Sequence, residues 1–261
     1  MDRFTSWSPT RLADYEQCPA MARWKHLAKL CPMCFKGKVS GGFDSPAVCD
    51  TCGGIVTKSD ALERGTRIGK GMEDYLVGKA KAAPLEVAST VSRTIASKVR
   101  KAVLAKNAKI EFQIVLNKDW KPVKQFDRTA WLRAKLDALV FDTKNGAKVI
   151  DWKTGGIDKA TEAPRVDPKY DDQLSIYSTA VLSAFPTITR ASASLVFLDA
   201  KVDPEVARPS GTLARADLPQ RQAEWNQRLL PMLNDDVFAP CPTSKCRWCD
   251  YSTSKGGPCQ F

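Results

Sequence analysis

The chain has 261 residues, 43% of them hydrophobic and 26% charged, which is ample for a core without disulfides and excludes disordered and fibrous classes. No apolar run approaches the roughly 18 residues of a membrane span. Met1-Asp2-Arg3-Phe4-Thr5 lacks a signal peptide's apolar stretch, so the expectation is a cytoplasmic protein with no membrane partner. Lys+Arg exceed Asp+Glu by 40 to 29, a formal +11 that suits a polyanionic partner or solubility alone, and nine cysteines stand against one histidine, which in a reducing compartment points to metal.

In chain order, Ser8-Pro9 sets a cap residue before proline at the first helical position and predicts a helix through Leu12, Tyr15, Ala20 and Trp24. A cysteine-rich insertion follows. Helical patterns resume at about 59–82 and 86–106, the second carrying Lys98, Arg100, Lys101 and Lys106. Strand-like runs cover 110–116 and 131–141; Lys144-Asn145-Gly146 is a hairpin turn, and 147–152 is the return strand. A helix at about 168–184, a strand at 190–198 and a helix at about 217–235 complete a mixed α/β pattern before a cysteine tail. The stretches 117–129, 155–167 and 201–216, rich in charge, Pro or Gly, read as linkers.

The cysteines form two groups. Cys31-Pro-Met-Cys34 and Cys49-Asp-Thr-Cys52, fourteen residues apart, are two knuckles that can complete a tetrahedral four-thiolate site. Lys36 to Phe43 between them has the turn residues of a short ribbon. Zinc is the favoured ion and iron its rival; such a ribbon serves as a folding staple or grips nucleic acid. In the second group Cys246, Cys249 and Cys259 need a fourth ligand, and Cys18 and Cys241 are the cysteines left outside the ribbon. Spacing alone allows either zinc or an iron–sulfur cluster here.

The hairpin carries a different chemistry. Asp137 lies mid-strand, Asp151 near the end of the antiparallel neighbour, and Lys153 shares the face of Asp151 by the period of two. Burying two carboxylates and a lysine costs several kcal/mol unless a cation bridges the acids. Oxygen ligands of this kind hold Mg2+ or Mn2+. The bland reading of a bare Asp…Asp-x-Lys pattern is a surface ion pair beside a turn.

Context favours the sharper reading. Asp151-Trp152-Lys153-Thr154-Gly155 after an Asn-Gly hairpin, with Gln173-Leu-Ser-Ile-Tyr177 on the next helix, resembles the PD-(D/E)XK nuclease superfamily, in particular the RecB/AddB-like branch with a four-cysteine iron–sulfur cluster and the CRISPR-associated cluster exonucleases. Ser8 to Pro19 is similar to the family's opening helix and first cluster ligand. Arg64 to Leu76 is similar to its first active-site helix, and Cys246-Arg-Trp-Cys249 with Cys259 to its closing clasp. The resemblance implies an α/β, restriction-endonuclease-like fold: a mixed central sheet flanked by helices, its chain ends joined by an Fe–S cluster, with a small inserted zinc ribbon. It divides the chain into an N-terminal helix at 1–29, the ribbon at 30–55, a nuclease core at 56–235 and a cysteine clasp at 236–261.

Carried over residue by residue, Asp137 and Asp151 with the Trp152 carbonyl would hold Mg2+ or Mn2+, and Lys153 would be the catalytic lysine. Gln173 and Tyr177, four apart on one helix face, would sit near the scissile phosphate or the DNA strand; alone they would read as a helix face packed on the sheet. Cys18, Cys246, Cys249 and Cys259 would hold a [4Fe–4S] cluster; the resemblance does not cover the ribbon at about 30–55, whose Cys31, Cys34, Cys49 and Cys52 suit a Zn2+ by their spacing, and Cys241 is left spare. Two departures stand out. Gly69 occupies the place of a metal-binding histidine, with Glu73 one turn on as a substitute ligand, while the lone His26 reads as a half-exposed helical residue. Nine residues separate Cys249 from Cys259, more than the commoner spacing, which keeps Cys241 alive as a rival ligand. Glu111 also resembles an acidic family position. The implied activity is metal-dependent hydrolysis of DNA, as an exonuclease on single-stranded or end-resected substrates in recombination, repair or replication, alongside a recombinase, helicase or single-strand-binding protein. Trp24-Lys25, Trp120-Lys121 and Arg247-Trp248 are candidates for stacking bases beside phosphates, or for core and rim. The alternative is a catalytically weak or silent DNA-binding scaffold that docks onto a recombination or spacer-acquisition complex.

Overall fold

A computed structural model describes residues 3–41, 47–56, 59–142 and 144–261. The turn residues Gly42 and Phe43 lie outside the described residues. The chain divides into two units, one of residues 1–58 with 225–261, the other of residues 59–224, so that the division falls inside the last long helix.

The second unit is built on a five-stranded sheet of β4 (Ala108–Leu116), β5 (Leu132–Phe141), β6 (Gly146–Lys153), β7 (Arg190–Phe197) and β8 (Glu205–Ala214), in that spatial order. Neighbours are antiparallel except β6 and β7, which run parallel. A parallel pair needs a crossover, and α5 (Lys169–Ala184) supplies it. The Lys144-Asn145-Gly146 turn forms as its composition predicts, with Asn145 at φ 56°, a left-handed conformation that Asn tolerates. β8 lies in the stretch 201–216 read as a linker. Pro209 and Gly211 give this stretch a loop's local signal, whereas hydrogen bonding to β7 makes it an edge strand, its burial alternating from Val206 to Ser210 and from Gly211 to Ala214.

Helices α3 (Asp60–Leu76) and α4 (Thr90–Leu104) bury one stripe each. Ile68, Met72, Leu76, Ala96 and Val99 pack with Ala138, Ile150 and Val196 of the sheet. Both are shorter than their patterns suggested: Ser89 caps α4 by accepting from the Ser92 amide, and α3 stops at Leu76, two residues before Gly78 at φ 86°.

In the first unit the opening helix is not continuous. α1 (Pro9–Gln17) ends at Cys18, held extended at φ −165°, ψ 111°, and α2 (Pro19–Ala22) starts afresh before a wider turn over Arg23–Ala28. Pro19 is the cause, because the residue before a proline is excluded from helical ψ. The insertion forms a three-stranded antiparallel ribbon, β1 (Val39–Ser40), β2 (Ala47–Cys49) and β3 (Ile55–Val56). The two chain ends meet through ordinary contacts: Trp7 stacks on Trp225 at 5.6 Å, the Tyr15 hydroxyl donates to Asp235 at 2.8 Å, and Arg228 forks onto Glu16 at 2.7 Å. Trp225 and Arg228 belong to α6 (Leu218–Asn234). Among the described residues no helix is long and apolar enough to cross a membrane.

Candidate active site

The ladder between β5 and β6 stops at Ala138 and Ile150, so Asp137 and Asp151 face each other one step beyond the last paired residues, where the strands part. The Trp152 amide, lacking a strand partner there, donates to Asp137 Oδ2 at 2.8 Å. Asp151 is 3% exposed. Its Oδ1 accepts from Gln173 Nε2 at 3.0 Å and from the Tyr177 hydroxyl at 3.3 Å, and Gln173 also donates to that hydroxyl at 2.7 Å. Lys153 Nζ lies 2.6 Å from Asp151 Oδ2 and donates to Gln173 Oε1 at 3.1 Å. Predicted residues from two strands and one helix thus form a single network, with α5 presenting Gln173 and Tyr177 from consecutive turns.

The charges do not balance. Lys153 Nζ pairs with the buried Asp151 Oδ2 at 2.6 Å, one ammonium against two carboxylates. Burial and then the charge of Asp151 raise the Asp137 carboxyl to about 7, against the opposing Trp152 amide. Burial also lifts Asp151 above the ordinary carboxylate range despite Lys153, and burial with the charge of Asp151 pushes Tyr177 well above 10. Two buried carboxylates facing one ammonium form an acidic pair whose charge a divalent cation would balance.

A cavity of about 240 Å³ opens beside Asp137 and Lys153, lined also by Glu111, Gly69 and Glu73. Glu111 holds a left-handed φ of 51° within β4, opposite Asp137, and is ion-paired to Lys135. A non-glycine residue in that region marks a constrained site. Glu73 reaches the cavity wall while accepting from Lys70 at 2.9 Å. A Cβ on Gly69 would meet nothing within 4 Å, so the place of the missing histidine is open space.

The family model of the PD-(D/E)XK nuclease superfamily matches residues 6–254. The chain belongs to that superfamily. Comparison with curated protein sequences gives no match. Among solved structures, SSO0001 is similar at 17% identity with a TM-score of 0.46, covering 100% of this chain and 90% of that one. A putative exonuclease from Eubacterium rectale aligns at 13% identity and TM-score 0.43, over 94% of this chain and 87% of its own. The alkaline exonuclease LHK-Exo from Laribacter hongkongensis aligns at 14% and 0.32, over 88% and 91%.

Around the PD-(D/E)XK network stand residues that the sequence did not single out. Arg64 of α3 forks onto Asp199, with one bond of 3.0 Å, and Asp199 also accepts from the Gly155 amide, so the loop leaving Lys153 is tied to α3. Burial acts to raise the Asp199 carboxyl, but Arg64 and that amide hold it below the ordinary range. The Tyr170 ring lies 5.0 Å from Lys153 Nζ, a cation–π contact that helps to aim the ammonium. Neither partner could be found from spacing, because Arg64 and Asp199 are 135 residues apart.

The two cysteine groups differ in geometry. Sulfurs of Cys31, Cys34, Cys49 and Cys52 all lie within 4.8 Å of one another, the spacing of ligands around one ion. Amides of Met33 and Thr51 reach the Cys31 and Cys49 sulfurs at 3.4 Å, and the Gly37 and Lys36 amides hold the Cys34 thiol down to about 6. Cys18, Cys241, Cys246, Cys249 and Cys259 instead line one cavity with Met21 and Trp24, and among the described residues their sulfurs do not converge as those of the ribbon do. Amides of Cys241 and Thr243 point at the Cys18 and Cys246 sulfurs at 3.5 and 3.3 Å, while Cys241 itself is exposed. The long spacing before Cys259 is taken up by a turn at Thr253–Lys255 and by Gly256 at φ 75°, which return Cys259 to the Tyr251 carbonyl at 3.0 Å. His26 lies within 2.6 Å of Asp14 and has no part in either group. Of the aromatic candidates Trp120 is core, packed on Trp131 at 5.3 Å; Trp24 is half-buried on Tyr251, and Trp248 is 72% exposed with Arg247 over its ring.

Proposed function

We propose that this protein is a divalent-metal-dependent deoxyribonuclease, acting on DNA ends with single-stranded character in recombination, repair or replication. The observation that carries the reading is the buried Asp137–Asp151–Lys153 network, whose Asp137 and Lys153 open on a cavity also lined by Glu73 and Glu111. Asp137, Asp151 and the Trp152 carbonyl would hold Mg2+ or Mn2+, with Glu73 and Glu111 at the cavity wall as further ligands. Such an ion polarises a phosphoryl oxygen and acidifies water.

The chain's own residues supply the remainder. Lys153, aimed by Asp151, Gln173 and Tyr170, brings a positive charge and a transferable proton to the cavity. Gln173 fixes Asp151 and Lys153 together through its two amide ends, so a helix and a strand move as one. Tyr177, kept protonated, remains a donor to Asp151 across the working pH range. Specificity for single strands and for ends follows from the resemblance of the sequence.

Two cofactors belong to the proposal. The ribbon sulfurs suit Zn2+, and the cavity that Cys241 also lines suits a [4Fe–4S] cluster held by Cys18, Cys246, Cys249 and Cys259, with the exposed Cys241 contributing its amide. End-labelled single and double strands incubated with Mg2+ or Mn2+ test the reading. Wild type cleaves, and Lys153→Ala loses at least about 100-fold in rate. Cleavage that survives Lys153→Ala removes the catalytic assignment.

A further inference from the structure

The loop joining β4 to β5 inverts what its sequence suggested. Trp120, the aromatic candidate for base stacking there, is 5% exposed and sits edge-on against Trp131, whereas Phe126 is 89% exposed. The loop is held from within. Asn117 Oδ1 accepts from the Asp119 and Lys121 amides at 3.0 and 2.9 Å, the Val123 amide donates to the Val115 carbonyl at 2.9 Å, and Asp127 Oδ1 accepts from the Thr129 amide at 2.7 Å. The Asp127 amide closes a turn onto the Lys124 carbonyl at 3.0 Å, which puts Phe126 at the third position of that turn. A lone exposed aromatic is ordinary on a protein surface. This one stands among the exposed Lys118, Lys121, Lys124 and Arg128, four cations against Asp119 and Asp127 in the same loop, and the Asp127 carboxyl is held below its ordinary range first by Thr129 and also by the charge of Lys124. An ordered turn that displays one apolar ring among a net excess of cations matches a ligand with aromatic faces and a polyanionic backbone.

We propose that this loop is a nucleic-acid prong, in which Phe126 stacks on an unpaired base while Lys121, Lys124 and Arg128 contact the flanking phosphates. The proposal rests on the nuclease reading and names the element that selects its substrate. β5 leads straight from the loop to Asp137, five residues or about 17 Å along an extended strand, so a chain gripped by the prong is held at a fixed remove from the carboxylates. A ring has no hydrogen-bond code, so the grip is indifferent to sequence. It does require a base free of its partner.

Affinity for a labelled oligothymidylate, measured in EDTA so that no cleavage intervenes, tests the prong separately from the nuclease reading. Phe126→Ala weakens binding about 5- to 30-fold, and Phe126→Trp restores it. Lys124→Ala and Arg128→Ala each lower the slope of log affinity against log salt by about 0.7, whereas Phe126→Ala leaves that slope unchanged. Because Phe126 is exposed, its variants keep the wild-type melting temperature. Wild-type affinity in Phe126→Ala overturns the proposal, as does an equal loss on blunt duplex, which would mean that no unpaired base is read. Absence of cleavage in the labelled-end assay, with this binding pattern intact, would sink the nuclease reading and leave the prong standing.

Discussion

Asp137 is the residue at which charge, burial and function meet. Its carboxyl is raised to about 7 in the folded protein against an ordinary 3.8, chiefly by burial and by Asp151. Between those values the metal-free native state keeps a proton that the unfolded chain has released. Stability is therefore lost as pH rises from about 4 to about 7, and the loss is complete above 7. Urea unfolding in EDTA at pH 5 and pH 8 should show this fall in wild type and a smaller one in Asp137→Asn; equal falls would remove Asp137 as its source. A bound divalent cation reverses the penalty at neutral pH, because it stabilises the ionised pair. Gly69 raises the complementary question of a ligand that is missing. Its Cβ position faces open space on the cavity wall, so the first atom of a side chain at Gly69 meets no neighbour. Cleavage at limiting Mn2+ should rise several-fold in Gly69→His, and an unchanged Mn2+ dependence would show that the site does not use this position.

At the scale of elements, the site exists because two strands stop pairing. β5 continues alongside β4 through Leu132, but its ladder to β6 ends at Ala138; beyond the fork Asp137 lines the cavity, while the buried Asp151 is bonded to Gln173 and Tyr177 of α5. The clasp is held by a close approach of a different kind. A Cβ on Gly257 would lie 2.3 Å from the Tyr251 carbonyl oxygen, which is backbone and cannot swing aside. Gly257→Ala is expected to cost about 1–3 kcal/mol and to lower the iron content of anaerobically purified protein; full iron and unaltered melting would separate Gly257 from the cluster cavity. Pro19 acts as an element-level switch too, since it stops α1 at Cys18 and leaves that cysteine extended beside the cavity rather than buried in a helix turn.

For the whole molecule, two cysteine groups of different geometry predict two metals that can be removed separately. Metal analysis should give one zinc and four irons per chain. Cys31→Ser loses the zinc and keeps the iron, and Cys246→Ser does the reverse; loss of both metals in either variant would mean that the groups are not independent. With the two proposed metals bound the formal charge would drop from +11 to roughly +7, still positive enough to draw a phosphate backbone. Much of this was legible in the sequence. The Cys-x2-Cys knuckles, the Asn145-Gly146 turn and the shared face of Asp151 and Lys153 depend on covalent spacing and the two-residue period of a strand, which local sequence sets by itself. The motif pattern likewise pointed to the superfamily. Tertiary structure alone decided that Gln173 bridges Asp151 and Lys153, that Arg64 reaches Asp199, that 205–214 pairs as a strand, and that Trp120 is core while Phe126 stands in solvent. Each of these depends on which surfaces pack against which, over separations of up to 135 residues, and the same side chain carries opposite meaning according to whether water or protein covers it.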